Sequence, residues 1–140
     1  MRVDFYHLTA LPIARALPVI ADKVLASGQK LAVVADDEDL LGQLDEALWT
    51  YRADSFLPHG REGDQPILLC APEGAKGYPF IALADGVWRD AALGHERAFH
   101  FFDETSIQAA REAWKSLKDR DGVERHYWKQ DEDGRWKDLT

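Results

Sequence analysis

The amino-acid sequence predicts an α/β fold in three layers, with a mostly parallel sheet flanked by helices. Segments rich in strand-forming residues alternate with segments whose apolar residues recur at helical spacing. Residues 31–35 and 67–70 are apolar throughout, which is typical of strands buried on both faces of a parallel sheet. At 140 residues the chain is long enough to bury its own core, and we expect a single domain over residues 1–140.

The first quarter of the chain predicts one strand and one helix. The strand is expected at residues 3–8. The apolar residues that recur at helical spacing after it are Ile13, Leu17, Ile20, Ala21, Val24 and Leu25. Thr9 is a candidate cap, Pro12 lies near the predicted start, and Pro18 is expected to kink the helix or shift its start. Gly28 stands where a glycine commonly follows a helix.

A second helix is predicted directly after the apolar strand at residues 31–35. Asp36 is its candidate cap, and the acidic residues that follow suit the positive end of a helix dipole. The helix is expected to reach about Trp49. The features predicted next are an extended piece at residues 55–59, a polar loop at residues 61–65 and the strand at residues 67–70.

The second half of the chain predicts further strands and one more helix. The predicted features are a turn at residues 73–77, strands at residues 80–83, 98–102 and 123–129, and a turn at residues 133–134. The helix is expected between the last two strands, capped by Asp103 or Thr105. It should run to about Lys118, with Gly122 after its end.

Composition and charge exclude several classes of protein. Lys and Arg total 17 against 25 Asp and Glu, a formal net charge of −8, which argues against a broad basic face for nucleic acid. The single cysteine, Cys70, excludes an internal disulfide framework and a zinc site built on several thiolates. No apolar run approaches the roughly 18 residues of a membrane helix, and residues 1–7 do not resemble a signal peptide. We therefore expect a cytoplasmic protein with no membrane partner.

Charge is unevenly distributed along the chain. Residues 111–140 carry eight basic and eight acidic side chains, so the whole net charge of −8 comes from residues 1–110. Trp114, Trp128 and Trp136 are interleaved with these cations, a combination that suits an acidic or aromatic partner. The alternative is an ordinary C-terminal helix and strand whose aromatic side chains pack inward.

Residues suited to catalysis or cofactor binding are few. No glycine-rich phosphate loop follows the first predicted strand, where residues 7–10 read His-Leu-Thr-Ala. The acidic run at residues 36–39 could hold Mg²⁺, but a helix start explains it without a metal. Cys70 has no base beside it in the sequence, and no serine lies in a glycine-flanked nucleophile motif. We therefore expect no catalytic residue, no metal site and no cofactor.

The last predicted helix has one cationic edge. At about 100° per residue, Arg111, Lys115 and Lys118 lie within about 60° of one another. Ile107 and Trp114 flank this stripe. A groove of this composition suits a short peptide that carries carboxylates and an apolar end. An amphipathic helix with a solvated basic edge is the alternative.

Aromatic residues also cluster around the end of the second predicted helix. Trp49, Tyr51 and Phe56 lie in or beside a loop, where aromatic side chains are more often exposed than in core strands. Exposed aromatic clusters mark interfaces. The alternative is that these side chains close one end of the sheet.

Two neighbouring blocks of sequence are the most specific features of the chain. They are Leu-Asp-Glu-Ala-Leu-Trp at residues 44–49 and Ser-Phe-Leu-Pro-His at residues 55–59. With weaker matches at residues 5–8 and 110–112, they resemble the chi subunit family of bacterial DNA polymerase III. This resemblance implies a nucleotide-binding-like α/β fold without a phosphate loop. It also implies a non-catalytic accessory subunit of the clamp loader, in which nucleotidyl transfer belongs to the assembled polymerase.

The same resemblance implies how the chain binds single-stranded DNA-binding protein. In the family, the acidic, apolar C-terminal tail of that protein lies by the last helix, where an arginine takes the terminal carboxylate. The matching residue here is Arg111. The positions expected around it are Ile107, Trp114, Lys115 and Lys118. DNA would then be reached mainly indirectly, through its binding protein.

The aromatic cluster implies a second partner. Trp49 and Phe56 match positions through which the family contacts the psi subunit, or a helicase-like protein that competes with psi in repair. Tyr51 and Pro58 lie beside them and are included in this expected interface. A psi subunit or another clamp-loader component is therefore the expected partner.

Two other hypotheses stand beside the adaptor function. One is an enzyme that uses residues 36–39 with a nucleotide or a metal. The other is direct binding of single-stranded nucleic acid by Trp114, Trp128, Trp136 and the neighbouring cations, because stacking aromatics and cations are what such proteins use.

Overall fold

The computed structural model describes residues 1–54 and 56–140, and its fold is α/β as the sequence predicts. Within these residues, seven strands form one sheet, against which three α-helices and two short 3-10 helices pack. The strands are β1 (Arg2–His7), β2 (Leu31–Val34), β3 (Ile67–Cys70), β4 (Phe80–Leu83), β5 (Arg97–Phe102), β6 (Glu124–Gln130) and β7 (Trp136–Asp138). The α-helices are α1 (Ile13–Ala26), α2 (Glu38–Trp49) and α3 (Ile107–Ser116), and the 3-10 helices are Pro72–Ala75 and Asp90–Gly94.

The sheet has the strand order β3-β2-β4-β5-β1-β6-β7. Neighbouring strands are parallel except for β6 and β7, which are antiparallel. β1 therefore lies inside the sheet, with Asp4 level with Phe99 of β5 and with His126 of β6. Because parallel strands end at the same edge, the loops that follow β1, β2, β4 and β5 meet there.

Helices cover both faces of the sheet, which gives the predicted three layers. α1 and α2 pack on one face, in a core to which β1 contributes Tyr6. α3 and the two 3-10 helices pack on the other face, in a core to which β1 contributes Phe5. Successive side chains of a strand point to opposite faces of the sheet, so Phe5 and Tyr6 contribute to different cores. In the described part of the chain, no helix is long and apolar enough to cross a membrane.

α1 ends as predicted but begins without its predicted cap. Pro12, and not Thr9, directly precedes the helix, and Pro18 lies within it without shifting its start. Gly28 has a φ of 83° and donates its N–H to the Leu25 carbonyl. The backbone N–H of the residue after Gly28 donates to the carbonyl of the residue before Leu25. Together the two hydrogen bonds form a Schellman motif, which requires a residue that tolerates positive φ.

The cap of α2 is one residue later than predicted. The side chain of Asp37, and not of Asp36, accepts a hydrogen bond from the backbone N–H of Asp39, at 2.9 Å. Asp36 instead pairs with Arg89, 2.8 Å away. A run of acidic residues offers several caps to a helix, so local sequence does not choose among them.

α3 is shorter than predicted at both ends. Ser106 precedes its first residue, and neither Asp103 nor Thr105 caps it. Asp103 instead forms a tight turn in which its carboxylate accepts the backbone N–H of Thr105, at 2.9 Å. The helix ends at Ser116, so Lys118 lies in the turn that follows.

Two segments differ from their sequence-based predictions. The polar turn at residues 133–134 leads into β7, a three-residue strand that the sequence does not predict. Residues 56–59 have no regular secondary structure, and Ser55, part of the predicted extended piece, lies outside the described residues.

Gln130, the last residue of β6, holds the loop between β1 and α1. Its side-chain oxygen accepts three backbone N–H groups, from Thr9, Ala10 and Leu11, each at 3.0 Å. Its own carbonyl accepts the hydroxyl of Thr9 at 2.9 Å. In nucleotide-binding α/β folds, backbone N–H groups of the loop after the first strand bind phosphate. In this protein the side-chain oxygen of Gln130 accepts the hydrogen bonds of these N–H groups.

We expect Gln130→Met to lower the free energy of unfolding by about 2 kcal/mol, because it keeps the size of the side chain and removes the acceptor of three N–H groups. Gln130→Glu keeps the acceptor and should cost less. Urea denaturation at pH 7 measures both variants. A Met variant as stable as the unmodified protein would show that these three hydrogen bonds do not stabilise the fold.

His100 of β5 is a buried imidazole without a hydrogen-bond partner. Its side chain is 0% exposed, and neither ring nitrogen is bonded within the described residues. The ring packs edge-on against Phe5 and Trp88, with centroids 5.3 and 5.5 Å away, and stacks on Phe102. Burial lowers the pKa of His100 from 6.5 to about 4, so the folded protein holds it neutral.

Acid should therefore destabilise the fold through His100. His100 takes up a proton near pH 6.5 in the unfolded chain but only near pH 4 in the folded chain. The free energy of unfolding is therefore highest above pH 6.5 with respect to His100, and it decreases as the pH falls from 6.5 towards 4. We expect a loss of about 2 kcal/mol between pH 7.5 and 5.0, at about 1.4 kcal/mol per pH unit. Urea denaturation of His100→Phe, with His100→Leu as a smaller replacement, should lack this loss. An unchanged pH slope in both variants would contradict the assignment.

Candidate partner-binding surfaces

The first candidate surface is the outer side of α3 with the turn that follows it. Its members are the five residues predicted from the sequence: Ile107, Arg111, Trp114, Lys115 and Lys118. We call this group the α3 surface. The helix buries Ala110 and Ala113 against the sheet, and this leaves the side chains of all three cations exposed. Ile107 is half-buried and packs against the core beneath α3.

Trp114 forms a fixed wall beside these cations. Its half-buried ring stands edge-on to Phe5 of β1, with centroids 5.3 Å apart, and to Tyr127 of β6, at 5.7 Å. The guanidinium carbon of Arg125 lies 4.0 Å from the centre of the indole ring. Arg125 also donates a hydrogen bond to the Trp114 carbonyl at 2.6 Å. Contacts with two strands therefore hold the indole in one orientation.

Arg125 and Tyr127 contact the α3 surface through Trp114, and the sequence does not identify them. They lie on β6, whose residues meet α3 only because β6 pairs with β1. Their alternation along the strand places both on the α3 face. No spacing rule relates them to Trp114, so the sequence contains no local signal for this contact.

Tyr127 links the α3 surface to the carboxyl edge of the sheet. Burial raises the pKa of Tyr127, and the charge of nearby Arg111 partly opposes this effect. The Tyr127 hydroxyl lies 3.4 Å from Nδ1 of His7, whose Nε2 lies 2.9 Å from a carboxylate oxygen of Glu104. Arg111 thus has an aromatic neighbour on β6 as well as Trp114 on its own helix.

The α3 surface can hold a carboxylate next to an apolar group. In the described part of the chain, Arg111, Lys115 and Lys118 form no ion pair, so their charges are available to a partner. Guanidinium groups bind carboxylates through two parallel hydrogen bonds. Ile107 and Trp114 supply the apolar contact beside them.

The second candidate surface consists of Trp49 and Phe56. These side chains are 56% and 62% exposed, and their ring centroids are 5.2 Å apart. Two large aromatic rings in contact and open to solvent are unusual unless they meet a partner. Pro58 is exposed nearby in sequence, whereas Tyr51 is half-buried and packs against the core of α1 and α2.

The imidazole of His59 packs against the rings of Trp49 and Phe56. It lies 4.8 Å from the Trp49 ring, measured between centroids, and the His59 side chain is 0% exposed. Nδ1 lies 2.6 Å from the Leu57 carbonyl. Nε2 lies 2.8 Å from a carboxylate oxygen of Asp45, at an ion-pair distance but without hydrogen-bond angles. The loop after α2 is thereby anchored to the helix.

The two surfaces belong to elements on opposite faces of the sheet. α3 packs on one face, and α2, which ends at Trp49, packs on the other. The tryptophans near the C-terminus are divided in the same way, since Trp114 packs on the α3 side and Trp128 and Trp136 on the α1 side. They therefore do not form the single stacking surface that direct strand binding by all three would need.

The acidic run at residues 36–39 has structural partners. Asp37 caps α2, and Arg61 pairs with Glu38 at 2.6 Å. Arg89 bridges Asp36 and Asp85, 2.8 Å from each. Burial raises the pKa of Asp85, but the hydrogen bonds from Arg89 and from the Asp36 backbone outweigh it and leave that pKa lowered. Among the described residues, no group of three His, Cys, Asp or Glu side chains could hold a metal ion.

Cys70 has the properties of an unreactive thiol. It is half-buried at the end of β3, and burial, with a smaller effect of Glu73, raises the pKa of its thiol. A raised thiol pKa lowers the population of the nucleophilic thiolate.

Similarity to known proteins agrees with this architecture. The family model described as DNA polymerase III chi subunit, HolC, matches residues 1–124. DNA polymerase III subunit chi of Escherichia coli (strain K12) is 40% identical over 109 residues, which is 71% of this chain and 74% of the relative. The subunit chi of Pseudomonas aeruginosa is 30% identical over 74 residues, or 49% of this chain and 52% of the relative. The chain therefore belongs to the DNA polymerase III chi subunit family, with an accessory role in DNA replication.

Proposed function

We propose that this protein is a non-catalytic subunit that links the DNA polymerase III clamp loader to single-stranded DNA-binding protein. It does so in the cytoplasm by binding the acidic C-terminal tail of that protein. The observation that carries the proposal is the α3 surface, where the exposed Arg111 stands beside the fixed ring of Trp114. An arginine next to an aromatic wall suits a peptide that ends in an apolar residue with a free carboxylate.

The distribution of charge supports an acidic partner at this place. The chain carries a net charge of −8, so an acidic peptide is repelled by most of it at long range. Arg111, Lys115 and Lys118 form a local cationic stripe that can overcome this repulsion at close contact. DNA, which is more densely charged than a peptide tail, is then reached mainly through its binding protein.

The absence of catalysis is the second part of the proposal. The acidic residues 36–38 are engaged as a helix cap and as partners of Arg61 and Arg89. The first loop of the sheet donates its N–H groups to Gln130. The thiol of Cys70 has a raised pKa. These contacts, together with the raised pKa of the Cys70 thiol, favour the hypothesis of a binding protein over that of an enzyme.

The second partner in this proposal is a clamp-loader component or a psi subunit bound at the Trp49–Phe56 surface. Two exposed aromatic side chains in contact with each other provide the usual anchors of a protein interface. Tyr51 and Pro58, which lie close to the two rings in sequence, are included in the proposed interface. Because the two surfaces lie on elements of opposite faces of the sheet, both partners can be bound at once.

We expect Arg111→Glu to weaken binding of the tail at least about tenfold, because it replaces the carboxylate-binding group with a repelling charge. Titration calorimetry would use a peptide of the last ten residues of single-stranded DNA-binding protein from the same organism. Arg15→Glu on α1, another exposed arginine, is the matched control and should bind as the unmodified protein does. Equal affinity of the two variants would sink the assignment of Arg111.

We expect Trp49→Ser with Phe56→Ser to abolish co-purification with the clamp loader while leaving tail binding unchanged. The two rings are more than half exposed, so their loss should change the melting temperature little. Val87→Ser is the matched control, since Val87 is also an exposed apolar residue, at 48%. Retention of the clamp loader by the double variant would place its contact elsewhere.

A further inference from the structure

A pocket separate from both surfaces lies between α1 and the amino-terminal ends of β1, β4 and β5. Its volume is about 360 Å³. The residues that give it chemical character are Arg2, Lys23, Arg97, Tyr6, Trp128 and Trp136. α1 forms one wall, so the pocket lies on the sheet face opposite α3.

Positive charge exceeds negative charge in this pocket. Asp4 is completely buried beneath it and accepts hydrogen bonds from Nη2 of Arg2 at 3.0 Å and from Nε of Arg97 at 2.8 Å. One carboxylate thus faces two guanidinium groups. Within the described residues, the ammonium of Lys23 forms no ion pair and Arg97 forms none besides its contact with Asp4. The Arg97 guanidinium also lies over the Phe99 ring, 4.7 Å from its centre, and beside the Tyr6 hydroxyl. A phosphate monoester, with a charge of about −1.5 to −2, matches this surplus better than a single carboxylate does.

The surplus charge is concentrated on one side of the pocket. Glu124 and Asp138 lie near Arg2 and offset part of its charge. Arg97 on β5 is separated from Glu124 on β6 and Asp138 on β7 by the intervening strand β1, and Lys23 lies on α1. A bound phosphate is therefore expected to contact Arg97 and Lys23 first.

Aromatic rings complete the pocket. The Trp128 ring stacks on Tyr6, with centroids 6.2 Å apart and planes 13° apart, and its indole N–H donates to Asp4. Trp136 stands edge-on to Tyr6 at 4.8 Å. Indole rings are the usual stacking partners of bases, at about 1–3 kcal/mol per base. The cavity is near the lower end of ligand pockets, roughly 300–1,000 Å³, and so suits one nucleotide.

We infer that this pocket binds one nucleoside monophosphate, with the phosphate on Arg97 and Lys23 and the base against Trp128 and Trp136. The ligand is either a free nucleotide or the phosphorylated end of a single strand. A single terminal nucleotide needs no extended basic face, which is consistent with a net charge of −8. This inference does not depend on the proposed tail binding, because the two sites lie on different faces.

Tryptophan fluorescence of the full chain tests the inference. The probes are thymidine monophosphate, thymidine, inorganic phosphate, and an oligothymidylate with and without a 5′-phosphate. We expect thymidine monophosphate to quench the tryptophan fluorescence saturably. Thymidine should bind with an affinity at least tenfold lower. Lys23→Gln should lower the affinity for thymidine monophosphate about three- to tenfold, and Arg97→Gln should lower it further. Arg15→Gln and Arg111→Glu should leave this affinity unchanged. Lys23 is exposed, so its variant keeps the test valid if removal of Arg97 destabilises the buried Asp4.

The results separate the two sources of the nucleotide. Tighter binding of the phosphorylated oligonucleotide than of the free nucleotide supports a strand end, and the reverse order supports a free nucleotide. Equal affinity for inorganic phosphate and thymidine monophosphate would overturn base recognition. No saturable binding, or affinity unchanged in Lys23→Gln and Arg97→Gln, would overturn the site.

Discussion

The buried carboxylate of Asp4 ties the centre of the sheet together. It lies on β1 and accepts hydrogen bonds from Arg2 on the same strand, from Arg97 on β5 and from the indole of Trp128 on β6. A buried carboxylate is costly unless donors satisfy its oxygens, so β5 and β6 must both flank β1 before the charge can be buried. The interaction therefore favours one strand order over others of similar hydrophobicity, and it leaves a surplus of positive charge where Arg97 meets solvent.

The opposite side of β1 organises the α3 surface. Phe5 packs beside Trp114, and β6 brings Tyr127 and Arg125 against the same indole. The rigidity of the site thus comes from the sheet, and the charge comes from the helix. The proposed recognition of a flexible peptide benefits from this division, because a wall that is already fixed loses little conformational freedom on binding. The sheet order set by Asp4 is therefore also a condition for the α3 surface.

At the carboxyl edge of the sheet, residues of the chain itself engage groups that bind ligands in other folds of this class. Gln130 takes up the backbone donors of the first loop, and Arg89 bridges the carboxylates that follow β2 and β4. Groups that could hold phosphate or metal are thus engaged in holding loops. The exposed features lie instead on the helices, with α3 on one face and the end of α2 on the other. This arrangement suits the proposed adaptor, because it keeps the two candidate surfaces apart on a rigid sheet.

The sequence by itself determined the fold class, most helices and strands, the cationic stripe on α3 and the aromatic cluster around Trp49. Each of these rests on periodicity, glycine placement or residue type within one segment, which local sequence records. Only the tertiary structure decided the N-terminal ends of the helices and the formation of β7. The same is true of the hydrogen bonds between Gln130 and the first loop and of the contact between Arg125 and Trp114. These features depend on which strands become neighbours, and residues more than 100 positions apart, such as Asp4 and Trp128, meet only once the sheet has formed.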